Sequence, residues 1–247
     1  VLKEGVIEDH ANQERLAKLP RVASTHNDQD SQNVALADYV ARMKPEQKNI
    51  YYITAESFNA AKSSPLLEIF RKKGIDVLVL SDRIDEWLVT HLTEFEGKPL
   101  QSVTKGDLDL GTLADEEKKQ QEQVAAEYQD LVTRLKAALT EQAQDVRITH
   151  RLTGSPACLV AGAHDLGAHF ERLLKAAGQK VPGSKPILEI NPEHALVQRL
   201  KDENDAQRFG DWARILFDQA LLSEGGQLDD PAGFVARVNS LWLGLMK

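Results

Sequence analysis

One cysteine stands in 247 residues. It rules out any disulfide within the chain and fits a reducing compartment. Cys158 lies in the apolar run Ala157-Cys158-Leu159-Val160 with no base beside it, so it reads as buried strand filler and not as a nucleophile. Aromatic residues are scarce at 6%, which leaves Leu, Val, Ile and Ala to build the core. No apolar run approaches the length needed to span a bilayer, and Val1 to Gly5 lack a signal-peptide layout. The absent initiator Met leads to the expectation that further sequence precedes Val1. Positive charge is also in deficit. A formal net charge of -8 disfavours nucleic acid as a partner, and the one basic run, Arg71-Lys72-Lys73, reads as a solvated helix end.

The known sequence signatures of catalysis are missing as well. There is no phosphate-binding glycine loop, no nucleophile elbow and no zinc-protease motif. His164 and His169 are five residues apart and so fall on different helical faces. Asp107 and Asp109 precede Gly111 without the rest of a calcium loop, and Glu94 and Glu96 read as solvated. These residues suggest neither a resident metal nor an enzyme.

What is present is an α+β pattern. Residues 8–19 read as a helix ended by Pro20, residues 24–33 as a polar loop, and Leu36, Tyr39, Val40 and Met43 as a helical stripe. Ile50–Thr54 and Val77–Leu80 read as strands, with a helix between them that breaks at Pro65 and stops at Gly74. That order implies a parallel pair joined by a crossover helix, followed by a capped helix through Trp87. Residues 97–112 are polar and Gly-rich and suggest a domain boundary. A charged stretch, Asp115–Lys119, then leads into a long helix with Val124, Tyr128, Leu131, Leu135 and Leu139 on one face. Val146–Thr149 and Ala157–Val160 flank a Gly-Ser-Pro turn and read as a hairpin. A helix over 165–176, a strand at Ile187–Ile190 and two closing helices complete the chain.

Three apolar features stand out. On the closing helices, Phe209, Trp212, Ile215, Leu216 and Ala220 on the first join Phe234, Val235, Val238, Leu241, Trp242 and Leu245 on the second. A hairpin of two such helices has more apolar surface than it can bury alone. Two copies would close a four-helix bundle, although burial against the chain's own domain also fits. Leu166, Phe170, Leu173 and Leu174 form a second stripe, which the pattern alone favours as core over partner surface. Trp87 sits beside Asp85 and Glu86 and is either packed or a binding anchor.

Several segments, in order, resemble the heat-shock protein 90 family, closest to its bacterial members. They are Asp38–Lys44 with Ile50–Thr54, Lys62–Glu68, Gly74–Leu78 through Asp82–Trp87, His150–Thr153 with Ser155–Ala157, and Leu188–His194. The ordered set covers nearly the whole chain. The resemblance implies that residues 1–103 are the end of a middle domain, a helical segment plus an α/β/α subdomain. It implies a linker at 104–113 and a C-terminal dimerisation domain at 114–247. It implies an ATP-driven clamp whose ATPase domain, with its ATP and magnesium, lies outside this sequence, so this chain itself is no enzyme. Trp87, Thr90, Leu166, Phe170, Leu173 and Leu174 would contact unfolded or partly folded clients, and the last two helices would form a homodimer. Other chaperones are further candidate partners. Nucleic acid and membrane are not implied. Pro20 departs from the family's usual Leu, and Leu166 and Phe170 replace Met. The ending Met246-Lys247 lacks the acidic pentapeptide of eukaryotic cytosolic members, which implies a bacterial, cytoplasmic protein. A passive dimerisation module and an enzyme of unrecognised type remain the rival readings.

Overall fold

The computed structural model describes residues 2–110, 124–181 and 183–245. The fold is mixed, with helices packed on two separate sheets. The charged stretch Asp115–Lys119 lies outside the described residues.

The first sheet has six strands: β1 (Val22–Ser24), β2 (Gln29–Val34), β3 (Ile50–Thr54), β4 (Leu78–Leu80), β5 (Glu94–Phe95) and β6 (Lys98–Ser102). Their order is β2-β1-β4-β3-β6-β5. β3 runs parallel to β4 on one side and to β6 on the other, with Ile53 opposite Val79 and Ile50 opposite Leu100. The expected crossover is present. It is built from α4 (Phe58–Ser63), a 3₁₀ turn at Pro65–Leu67 and α5 (Glu68–Lys73). Gly74 closes α5 in the left-handed conformation at φ 59°, and the basic run forms the last turn.

Every residue of β3 is buried, because the sheet is covered on both faces. Tyr51, Ile53, Val77 and Val79 point to one core with Phe58, Leu66, Leu67 and Phe70. Ile50, Tyr52, Leu78 and Leu80 point to the other, which is covered by α1 (Leu2–Glu8), α3 (Leu36–Ala41) and α6 (Asp85–His91). Tyr39 of α3 reaches through this layer. Its hydroxyl donates to Asp76 O at 2.7 Å and accepts from Tyr51 N at 3.1 Å.

Three expectations are corrected in this half. Residues 8–19 are not one helix. Asp9 caps a 3₁₀ turn at His10–Asn12, and α2 (Gln13–Leu16) ends before Pro20. The polar stretch 24–33 contains β2, an edge strand whose side chains are mostly exposed and so carry no alternating signal. The polar stretch from Gly97 contains β6. Glu96 at φ 50° and Gly97 at φ 73° make a two-residue turn that pairs β5 with β6.

The second sheet has three strands, β7 (Asp145–Ile148), β8 (Ala157–Val160) and β9 (Ile187–Ile190), in the order β7-β9-β8. β7 and β8 are therefore not a hairpin. β9 enters between them, parallel to β7 and antiparallel to β8. Two helices cover one face: α7 (Gln129–Ala138) and α10 (Ala206–Ser223). α8 (Ala168–Ala176) and α9 (Ala195–Lys201) connect the strands and helices around it. The long stripe is interrupted at Tyr128, which leaves the helix and donates its hydroxyl to Pro192 O at 2.9 Å.

β8 joins the two halves. Ala157 and Leu159 face the core of the second sheet, while Cys158 and Val160 face the core that holds α4 and α5. Glu68 of α5 adds a polar tie, because its carboxylate accepts the backbone N–H groups of Gly154 at 2.7 Å and Ser155 at 3.1 Å. On the central strand β9, Glu189 is 2% exposed and lies 2.6 Å from Arg147 and 2.7 Å from Arg151. Those arginines donate onward to Val103 O at 2.8 Å and Gly106 O at 3.1 Å. Removing one partner of a buried ion network strands the others. Glu189→Ala is expected to lower unfolding stability by roughly 3–5 kcal/mol in urea denaturation; a loss below about 1 kcal/mol would contradict the network's role.

Candidate functional site

Trp87 and Thr90 stand on α6. That helix is held firmly, with Lys3 2.8 Å from Asp82 and 2.6 Å from Asp85, and with Asp85, Glu86 and Leu88 all buried. Burial raises the pKa values of Asp85 and Glu86, against the pull of Lys3 on the first and a hydrogen bond from Thr54 on the second. The acids flanking Trp87 thus face inward and anchor the helix. Trp87 itself is half-buried. Thr90 is exposed, and its hydroxyl donates to Trp87 O at 2.7 Å.

The second group stands on and before α8. The sequence places Leu166 inside this helix, but α8 begins at Ala168 with Gly167 as its cap in extended conformation. Gly167 is therefore a boundary, and Leu166 lies in the preceding loop, half-buried. Phe170 and Glu171 are the buried residues of α8, while Leu173 and Leu174 are half-buried. The rings of Trp87 and Phe170 meet edge to face, with centroids 5.1 Å apart and planes at 78°. Two features read separately in the sequence are thus in contact. Such a pair contributes about 0.5–1.5 kcal/mol beyond its buried area.

Beside this contact lies a cavity of about 510 Å³, bounded by Thr54 and Ala61 of the first half and by Val160, Leu166, Arg172 and Glu224 of the second. Arg172 donates to Gly225 O at 2.6 Å, tying α8 to the loop after α10. Glu171 accepts from Ser184 Oγ at 2.6 Å. Burial, with Arg172 close by, lowers the pKa of His169. Glu224 meets Ser64 Oγ at 3.3 Å and has its carboxyl enclosed although the residue is half-buried overall. Burial pushes its pKa up to about 7. Cys158 is fully buried, and burial with Glu189 alongside raises its thiol well above the ordinary range, so it is no nucleophile at neutral pH. Sequence reasoning missed Arg172 and Glu224, because their partners are remote in the chain and no spacing announces them.

The closing hairpin forms as expected, α10 followed by α11 (Pro231–Leu245). Asp205 caps the first helix by accepting Arg208 N at 2.9 Å, and Asp230 caps the second by accepting Gly233 N at 2.8 Å. The two helices differ in burial. Phe209, Leu216 and Ala220 pack in the chain's own core, Ile215 is buried, and Trp212 is partly buried against the same core. On α11, Phe234, Val238 and Leu241 are only half-buried. Val235, Trp242 and Leu243 are 53%, 60% and 63% exposed. Of Leu245 only the backbone is described. Arg237 lies 3.2 Å from Asp218 and fastens α11 to α10.

The Glu224 carboxyl has a pH signature. The unfolded chain releases this proton near the ordinary 4.5 and the folded chain near 7. Between those values the folded state holds a proton that the unfolded state lacks, so stability falls as pH rises from about 4.5 to about 7 and then levels. Glu224→Gln is expected to flatten this part of the profile in urea denaturation at a series of pH values. Parallel profiles for the two proteins would show that the carboxyl is not enclosed.

The description "Hsp90 protein" belongs to the family model that matches residues 1–246. Curated relatives named "Chaperone protein HtpG" include those of Nitrosomonas europaea, 63% identical over 98% of this chain, and Nitrosospira multiformis, 64% identical over 98%. That of Dechloromonas aromatica is 62% identical over 99%. The chain spans 38% of the length of each of these relatives.

Proposed function

Since the chain belongs to the heat-shock protein 90 family, we propose that it is the client-holding and dimerising stretch of a bacterial ATP-driven clamp chaperone. The observation that carries this reading is the contrast within the closing hairpin. α10 is spent on the chain's own core, while α11 leaves Val235, Trp242 and Leu243 in solvent. An exposed apolar helix face next to a finished core calls for an outside partner. A second copy supplies the same face by symmetry, and two hairpins then make a four-helix bundle. Each large apolar side chain so covered contributes roughly 1.5–3 kcal/mol before the cost of association.

On this reading, residues 1–103 are the later part of a middle domain with its α/β/α subdomain. Residues 104–113 link it to the dimerisation domain at 114–247. ATP and magnesium bind elsewhere in the longer protein, which works in the cytoplasm. Client segments, unfolded or partly folded, meet the surface of Trp87, Thr90, Leu166, Phe170, Leu173 and Leu174, and other chaperones dock on the same protein. A passive dimerisation module is the second reading, and the burial of Phe170 against Trp87 favours it.

Leu241→Asp sets a charge in the proposed seam. It is expected to weaken self-association roughly tenfold or more, read by sedimentation equilibrium; an unchanged dimer would remove α11 from the interface. The double change Leu166→Ser and Phe170→Ser is expected to reduce capture of a permanently unfolded test protein about tenfold or more while leaving the dimer intact. Equal capture would favour the passive module.

A further inference from the structure

We infer that Phe170 is a built-in stand-in for the client, and that the segments this chain recognises are those offering an aromatic side chain to replace it on Trp87. This rests on the client-binding reading above and names the client chemistry.

The two partners of the ring pair are anchored unequally. Trp87 rides on a fixed support. Asp85, Glu86 and Leu88 of α6 are buried, and Lys3 grips the start of the helix. Trp87 itself is only partly covered, so it presents part of a preformed receptor surface. Phe170 rides on a light one. α8 has nine residues, of which only Phe170 and Glu171 are buried. Its polar ties, Glu171 to Ser184 and Arg172 to Gly225, run to loops and not to strands. The cap at Gly167 makes no side-chain hydrogen bond, and Gly178 closes the other end at φ 76°. A short helix with few buried groups lies at the low-stability end of a fold. Release of Phe170 therefore leaves Trp87 in place and open.

The geometry also selects the replacement. At 5.1 Å and 78°, the ring edge of one partner meets the ring face of the other. That arrangement follows from the opposite charge of ring edges and faces, which aliphatic side chains do not reproduce. The Trp87–Phe170 contact is thus an intramolecular copy of the complex, and client binding exchanges one aromatic edge for another. Mass action then makes α8 more mobile in the loaded protein than in the free one.

The test labels the whole chain with 5-fluorotryptophan, assigns the Trp87 ¹⁹F resonance with Trp87→Phe, and records it in the parent and in Phe170→Leu. The probes are two soluble Gly/Ser peptides, one carrying phenylalanines and its twin carrying leucines at the same places. Phe170→Leu is expected to shift the Trp87 resonance. The leucine peptide is expected to shift it the same way, the phenylalanine peptide, which restores an aromatic edge, to shift it less, and the phenylalanine peptide to half-saturate at a concentration roughly 2- to 10-fold below its twin, the ratio that an edge-to-face pair gives. A Trp87 resonance indifferent to Phe170→Leu would overturn the inference. So would twins of equal affinity, or binding of the leucine peptide seen by anisotropy with Trp87 unmoved, and in both cases the client surface itself would stand. If neither peptide nor an unfolded test protein binds, the client-binding reading fails and takes this inference with it.

Discussion

Glu189 is the residue on which the relative placement of the two halves depends. It lies on the central strand of the smaller sheet, where a lone carboxylate is costly to bury. Arg147 and Arg151 neutralise it from two sides. Their remaining N–H groups are then directed at Val103 O and Gly106 O, the carbonyls of the segment leaving the larger sheet. Directional, charge-assisted bonds of this kind fix a register that apolar packing alone leaves loose. The shared core under β8 supplies the area, with Cys158 and Val160 packed beside Leu66 and Phe70. The network supplies the alignment. Trp87 on one half and Phe170 on the other meet where the two halves join.

The two proposed surfaces differ in how they are covered. Around Trp87 the apolar groups satisfy one another within the chain, through a helix with little else to hold it. Along α11 they remain in solvent. The first arrangement suits reversible occupation by varied segments, since the free state hides its own aromatic group. The second suits a lasting union, since among the described residues nothing covers Trp242 or Leu243. Arg172 lies between the two. It ties α8 to the loop that turns α10 into α11, and it lines the cavity with Glu224.

Much of the fold was legible in the residues. β3 and β4 read clearly because continuous apolar runs mark strands covered on both faces. Gly74 marks a helix end because a left-handed residue is required there. β2 was hidden because an exposed edge strand needs no apolar face. The β7–β8 pairing was misread because the insertion of β9 is a long-range event that no local turn reports. α8 was read as starting at residue 165, ahead of its start at Ala168, since a stripe at helical spacing does not show where the helix starts. The closing helices were legible as apolar but not as unequal. Only the position of the second sheet shows that Phe209 and Leu216 face inward while Trp242 does not. The wider assignment of function came from the ordered family resemblance, because the chemistry of the residues alone excludes more than it specifies.

The account stands most directly on the solution mass of the unaltered chain, measured by light scattering over a dilution series. It predicts twice the 27.5 kDa chain mass, held as the protein is diluted to low micromolar concentration. A single-chain mass throughout the series would show that the face of Val235, Trp242 and Leu243 needs no second copy, and the clamp reading would fall with it.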